Sequence, residues 1–257
     1  MFKTQGSNMA TTPKFASAII LFKFISHSNT LGMNPCNFVL FMIQRSKAMK
    51  FLGGVHAFPG GRLEEDDCSE ASFARCKGFD KSKAHELILD KKTYHTDVNY
   101  SLGFWLTGIR EVFEEIGILF AYDQNLNLVD LSNPTQKAKF EVYRNELLQD
   151  KILFSEIIAQ EDLFYAIDKL YYFTHFITPE LSPIRYDTRF FLAEIPPNQS
   201  IHHNSSEIIS TVWATPTKLL ESYRTKEIKL IPPQYACLSK LQKIADIKAF
   251  CVELLLR

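Results

Sequence analysis

Arg110-Glu111-Val112-Phe113-Glu114-Glu115-Ile116-Gly117 places three carboxylates and a guanidinium on one short stretch of chain. At about 100° per residue, Ile109, Val112, Phe113 and Ile116 fall on one stripe, the i, i+3, i+4, i+7 pattern of a core-facing helix. Glu111, Glu114 and Glu115 fall on the far side, within reach of one point. Such carboxylates repel one another unless a hard cation sits between them, and their oxygens are the ligands that Mg²⁺ or Mn²⁺ takes. A glutamate cluster on the outer face of an amphipathic helix is also what a solvated surface looks like. Phe58-Pro59-Gly60-Gly61 upstream shifts the balance. Neither glycine has a Cβ, so the backbone there can approach a phosphate or a metal closely. Gly117 suits the left-handed residue that ends a helix.

The elements that must hold these residues are legible in outline. Apolar residues 15–25 and 38–45 predict two strands, joined through a turn at 29–37 that contains Gly32 and Pro35. Residues 46–61 predict a glycine-punctuated loop with a short strand around Val55–Phe58. Residues 68–103 are mixed and polar, with room for one or two short helices. Phe104–Ile116 is the carboxylate-bearing helix, and a strand begins at Leu119–Tyr122. Residues 134–174 read as helical, with Pro134 in a first turn. Phe140, Tyr143, Leu147 and Leu148 give one apolar face there, and Leu163, Ile167 and Leu170 another; the segment is a substrate-covering cap or extra core. Arg189–Ala193 and Ser210–Ala214 predict further strands, and Leu238, Leu241, Ile244, Ile247 and Leu254 a closing helix. The expected division is a flexible tail over 1–14, one domain over 15–235 with insertions at about 68–103 and 134–174, and a closing helix over 236–257.

Composition excludes several classes. The chain has 257 residues, 46% hydrophobic and 23% charged, ordinary values for a soluble globular protein. Lys plus Arg equals Asp plus Glu at 29 each, which leaves no basic footprint for a nucleic acid. The 5 cysteines form no Cys-x-x-Cys pair and read as reduced thiols. No segment approaches the roughly 20 apolar residues that span a bilayer. Residues 1–14 make a poor transit peptide, and the C-terminus lacks a Ser-Lys-Leu type address, so the expected compartment is the cytoplasm. Neither Gly-x-Ser-x-Gly nor a P-loop occurs, which disfavours a serine hydrolase and a P-loop nucleotidase. Adjacent histidines point to opposite faces of a strand, so His202-His203 reads as polar loop rather than a metal pair. His56 could reach a phosphate, although a packed strand histidine fits its position better.

The motifs together resemble the Nudix hydrolase box, Gly-x5-Glu-x7-Arg-Glu-U-x-Glu-Glu-x-Gly-U with U aliphatic. Gly61 opens it and Arg110–Ile118 closes it with every fixed residue present. Asp67 stands where the family has its first Glu, and residues 68–109 replace the usual gap of seven. A box interrupted in this way is similar to the long-insert branch that contains the peroxisomal coenzyme A diphosphatases. Ile177-Thr178-Pro179, Arg185–Leu192 and Trp213-Ala214-Thr215-Pro216 also resemble that branch. Arg45-Ser46-x3-Lys50-x3-Gly54-x3-Phe58-Pro59-Gly60-Gly61 resembles the element that precedes the box in coenzyme A-cleaving members, with Lys50 where Arg is usual. Lys keeps the charge and loses the bidentate fork.

The resemblance implies an α/β fold, a Nudix-type α/β/α sandwich around a mixed sheet with helical insertions. It implies metal-dependent hydrolysis of a diphosphate in a small nucleoside diphosphate derivative, foremost coenzyme A or acyl-coenzyme A. ADP-ribose or NADH hydrolysis, or a catalytically silent ligand-binding module, remain alternatives. In that reading Glu111, Glu114 and Glu115 hold Mg²⁺ or Mn²⁺ with the Gly60 carbonyl, and Arg110 orients a carboxylate. Glu111 or Glu207 deprotonates water; Arg45, Lys50 and Gly61 face the substrate; Asp67 supports the outer shell.

Overall fold

The computed structural model describes residues 11–25, 37–49, 52–89, 97–203 and 207–256. In chain order its strands are β1 (Lys14–Phe24), β2 (Phe38–Arg45), β3 (His56–Ala57), β4 (Gly60–Arg62), β5 (Cys76–Lys77), β6 (Ala121–Tyr122), β7 (Phe164–Ala166), β8 (Tyr171–Ile177), β9 (Tyr186–Glu194) and β10 (Ile208–Ala214). The helices are α1 (Glu70–Ala74), α2 (Lys81–Ile88), α3 (Val98–Ile116), α4 (Pro134–Leu147), α5 (Phe154–Gln160), α6 (Pro216–Arg224), α7 (Pro232–Leu241) and α8 (Ile247–Leu255).

The main sheet runs β10-β2-β1-β9-β8, with β3 added to β2 and β4 to β1. It is mixed, because β1 and β9 are parallel while the β1–β2, β2–β10 and β8–β9 pairs are antiparallel. The long apolar run of β1 follows from its central place, since a strand covered on both faces has no polar side to show. Ile19 and Leu21 face one core with α3, whereas Ala18, Ile20 and Phe22 face a second with α6, α7 and α8. That is the expected α/β/α sandwich. A small sheet, β5-β7-β6, lies apart from the main one.

α3 is longer than its charged motif suggests. It starts at Val98 rather than Phe104, with Asp97 capping Asn99 N–H, and ends at Gly117 in the left-handed region (φ 72°). Two other expectations need correction. Residues 161–174 are not helical: β7, a 3-10 turn at Ile167–Lys169 and the start of β8 occupy them. The aromatic run Tyr171-Tyr172-Phe173 favours a strand, and Leu163, Ile167 and Leu170 are buried from separate elements that share helical spacing by coincidence. The closing helix is two helices, because Asp246 caps Lys248 and Ala249 N–H and starts α8 anew. Of the expected tail, residues 1–10 lie outside the described residues, as do 26–36 of the first turn, and Lys14 already belongs to β1.

Candidate active site

The site begins with a fork in the sheet. β2 pairs with β1 only over Phe22–Phe24, and β4 takes the same edge further down, with Ser17 opposite Gly61 and Ala18 opposite Gly60. Ile19 N–H donates to Pro59 O between the two pairings, at 2.8 Å. This seats Gly60-Gly61 beneath α3. A Cβ on Gly60 would stand 2.1 Å from Ser17 O, and one on Gly61 2.3 Å from Glu111 Oε1. Gly60 meets backbone there and requires glycine both for space and for its φ of 152°, whereas a Cβ on Gly61 would displace the Glu111 carboxylate.

Across that edge lie the carboxylates of α3. Gly60 N–H donates to Glu115 Oε2 at 3.1 Å. Arg110 Nη1 donates to Glu111 Oε1 and to Glu114 Oε1, each at 3.1 Å. The rest of the guanidinium faces inward, where Nε and Nη2 donate to Asp67 Oδ1 and Oδ2 at 3.0 and 2.9 Å. Nη2 also donates to Arg62 O at 2.7 Å. Asp67 accepts two further bonds, from Thr107 Oγ1 at 2.9 Å and Glu64 N at 3.0 Å. Asp67 and Arg110 are each 3% exposed, so this is a buried pair with every carboxylate oxygen satisfied.

The glutamates are less comfortable. Burial raises Glu111 to about 8, against the pull of Arg110 and with the repulsion of Glu114, Glu115 and Asp67 added. Burial also raises Glu115 to about 8; the Gly60 N–H and the charge of Arg45 oppose this, while Glu207 and Glu114 reinforce it. Glu114 is raised as well, by burial first. Among the described residues no three His, Cys, Asp or Glu side chains already stand at ligating distance from one point. Glu111 and Glu114 are instead turned onto Arg110. An oxygen-only set, partly buried and short of positive charge, is nonetheless the donor chemistry that a hard divalent cation accepts.

This arrangement matches known proteins. Residues 14–241, from the first residue of β1 to the last of α7, fit the family model for the NUDT19 Nudix domain. The chain belongs to that family. An acyl-coenzyme A diphosphatase NUDT19 from Xenopus laevis is 25% identical to it over 83% of this chain and 62% of its own length. The one from Homo sapiens is 27% identical over 84% and 64%. The chain thus spans less than two thirds of these relatives. A NUDIX hydrolase structure from Alicyclobacillus acidocaldarius superposes with a TM-score of 0.69 over 95% of this chain and 97% of its own, at 21% identity, which shows a shared fold.

Within the Nudix domain, Asp67 stays beside Arg110 although residues 68–109 separate them in sequence. Both the insertion and its return are therefore accommodated without opening the box. Arg45 and Glu207 lie near Glu115, as their opposite effects on it show, and Ser46 N–H donates to Glu207 O at 2.6 Å. Lys50 lies outside the described residues. His56 is a packed strand histidine, buried in β3, with a proton affinity lowered by burial. His202 and His203 lie in a loop, and His202 Nε2 is 2.7 Å from Ser200 Oγ. The free thiols of Cys68 and Cys76 are pushed up to about 12 by burial, which leaves no thiolate nucleophile there.

Three contributors escaped the sequence reading. Thr107 supports Asp67; Asp66, just ahead of the first insertion, holds the second by accepting from Ser155 N and Oγ at 3.1 and 2.6 Å. Arg144 of α4 reaches the end of α3. Its signal was present: Phe140, Arg144 and Leu147 follow i, i+4, i+7, which places a charge within a buried stripe.

Proposed function

We propose that this Nudix domain hydrolyses the diphosphate of coenzyme A or acyl-coenzyme A to 3′,5′-ADP and (acyl-)4′-phosphopantetheine. The observation that supports this most is the meeting of two motifs at one edge. The Arg45–Gly61 segment, similar to the coenzyme A element, presents Gly60-Gly61 to Glu111 and Glu115, and the charge of Arg45 acts on Glu115. The names of the curated relatives support the same substrate class.

In the reaction a water oxygen bonds to one phosphorus as the bond from that phosphorus to the bridging oxygen breaks, and the water gives up a proton. Glu111, Glu114 and Glu115, with the Gly60 carbonyl, would hold Mg²⁺ or Mn²⁺. Such an ion neutralises the anionic diphosphate and orders water for in-line attack. In this reading Glu111 or Glu207 takes the proton. Arg110 draws Glu111 and Glu114 toward each other and is itself anchored by Asp67. Arg45 and Lys50 supply positive charge for the phosphates, and Gly61 lets the backbone come close. Free cysteines among the described residues suit a reducing compartment, the cytoplasm in this reading.

Mass-resolved product analysis tests the proposal, with Mg²⁺ or Mn²⁺ and with coenzyme A, an acyl-coenzyme A, ADP-ribose and NADH in separate reactions. Release of 3′,5′-ADP from coenzyme A or its acyl derivative is the expected result. Turnover confined to ADP-ribose or NADH would keep the carboxylate site and reject the substrate. Binding without turnover of any of them would make the domain a silent ligand-binding module.

A further inference from the structure

The last four carbonyls of an α-helix have no partner within the helix. In α3 each has found one. Gly117 N–H donates to Phe113 O, and His202 N–H donates to Ile116 O, both at 2.9 Å. The two between belong to Glu114 and Glu115, and a single side chain takes both. Arg144 Nε donates to Glu114 O at 2.9 Å and Nη2 to Glu115 O at 2.8 Å. The guanidinium is 2% exposed, and its remaining arm lies 3.5 Å from Glu141 Oε2.

We propose that Arg144 is a positioning residue for the carboxylates of Glu114 and Glu115, and that the 134–174 insertion thereby sets the geometry of the site. The proposal rests on the reading that these carboxylates hold the cation for diphosphate hydrolysis. A planar guanidinium has two donors at fixed spacing, so bonding two successive carbonyls fixes both peptide planes and the Cα–Cβ directions that leave them. Its charge also lies where the negative end of the helix dipole favours a cation. Lysine would bring the charge but could not span both carbonyls. Arg144 reaches the helix end from α4, and Phe140 of the same helix makes a separate contact with Phe113 of α3, ring centroids 6.4 Å apart, that does not touch the carbonyls. The segment that the sequence left as a substrate-covering cap or extra core therefore acts on the helix end, through carbonyl oxygens.

The test is Mn²⁺ binding followed by electron paramagnetic resonance, together with steady-state kinetics on coenzyme A, for the full chain. Arg144→Ala is compared with Arg144→Lys and with Phe140→Leu, which loosens the same stripe without touching the carbonyls. Arg144→Ala should weaken Mn²⁺ binding and lower kcat, each by about 10–100-fold, as loss of a partner that orients metal ligands does. KM for coenzyme A should move by less than about threefold, because Arg144 does not meet the substrate. Free guanidinium at millimolar concentration should restore part of the kcat of Arg144→Ala, and Arg144→Lys should fall between alanine and wild type. Phe140→Leu should lower the melting temperature and leave Mn²⁺ affinity and kcat nearly unchanged. Wild-type Mn²⁺ affinity and kcat in Arg144→Ala would overturn the proposal alone. Should that variant not fold, wild-type values in folded Arg144→Lys would overturn it equally. A wild-type chain that binds no Mn²⁺ would overturn the reading of the site as well.

Discussion

Arg110 and Arg144 are both almost fully buried and both end on the last turns of α3, but they hold different atoms. Arg110 gathers carboxylates, those of Asp67, Glu111 and Glu114. Arg144 gathers the backbone carbonyls of Glu114 and Glu115. The first is a cluster of charges, and any cation that the proposed reading places there would compete with the guanidinium for the same glutamate oxygens. The second does not titrate and is not contested. One arginine therefore sets how much negative charge the site can offer, and the other sets where that charge stands.

The largest effect should come from removing charge that only the reaction needs. Glu115→Gln or Glu114→Gln should cut turnover by at least about a hundredfold while leaving folding intact. Near-normal turnover by both purified variants, checked by product release from coenzyme A, would reject these residues as the metal-holding set. Next comes the anchor beneath them. Arg110→Ala strands the buried carboxylate of Asp67 and should cost about 3–5 kcal/mol, and loss of Arg144, which strands two neutral carbonyls at about 1–3 kcal/mol each, should cost an amount of the same order. Thermal melts decide the comparison, and Arg110→Ala should melt roughly 10 °C below wild type for a domain of this size. An Arg110→Ala variant that melts with wild type would show that the buried Asp67 carboxylate does not depend on this partner.

A smaller effect follows from the raised glutamates. Glu111 and Glu115 titrate near 8 in the absence of a cation, above the ordinary carboxylate value of 4.5. Between those values the folded chain holds protons that the unfolded chain has lost, so stability falls as pH rises through the window. In chelator the melting temperature should therefore fall as pH rises from about 5 to about 8. Mg²⁺ or Mn²⁺ stabilises the ionised carboxylates and should flatten that slope, most visibly at the alkaline end. A slope unchanged by either ion would show that the glutamates are not its ligands.

What the sequence revealed and what it hid divide along the same lines. The two faces of α3 and the strand β1 were legible because each follows from local spacing, and the missing Cβ atoms of Gly60-Gly61 announced a close approach, which in the fold is to Ser17 O and Glu111. The helix start at Val98 was not, since Val98–Gly103 is mixed in character, with Val98 and Tyr100 exposed and only Ser101–Gly103 buried. Leu163, Ile167 and Leu170 imitated a helix stripe because burial in different elements left the same spacing. The convergence of Glu111, Glu114 and Glu115 on one point was legible only in direction: in the folded chain Arg110 stands between two of them. Arg144 was written into the stripe of α4, but its partners are carbonyls, which no side-chain pattern announces.

The smallest and most discriminating change is Asp67→Glu, which restores the residue usual in the family box. The short carboxylate here is not a loosened version of the longer one. It accepts four side-chain and backbone donors from three sides: Arg110 through Nε and Nη2, Thr107 through Oγ1, and Glu64 through its backbone N–H. At 3% exposure there is no solvent space into which an added methylene could extend. Glutamate would have to push Arg110 toward Glu111 and Glu114 or surrender Thr107, and overpacking of this kind costs about 1–3 kcal/mol. The variant should melt a few degrees below wild type, with kcat reduced further if Arg110 moves. Thr107→Ala made in the Asp67→Glu background separates the two routes. Recovery of the melting temperature would show that Thr107, a residue of the helix extended by the insertion, is what fits this box to the shorter acid. No recovery would place the strain on Arg110 and on the charges it holds.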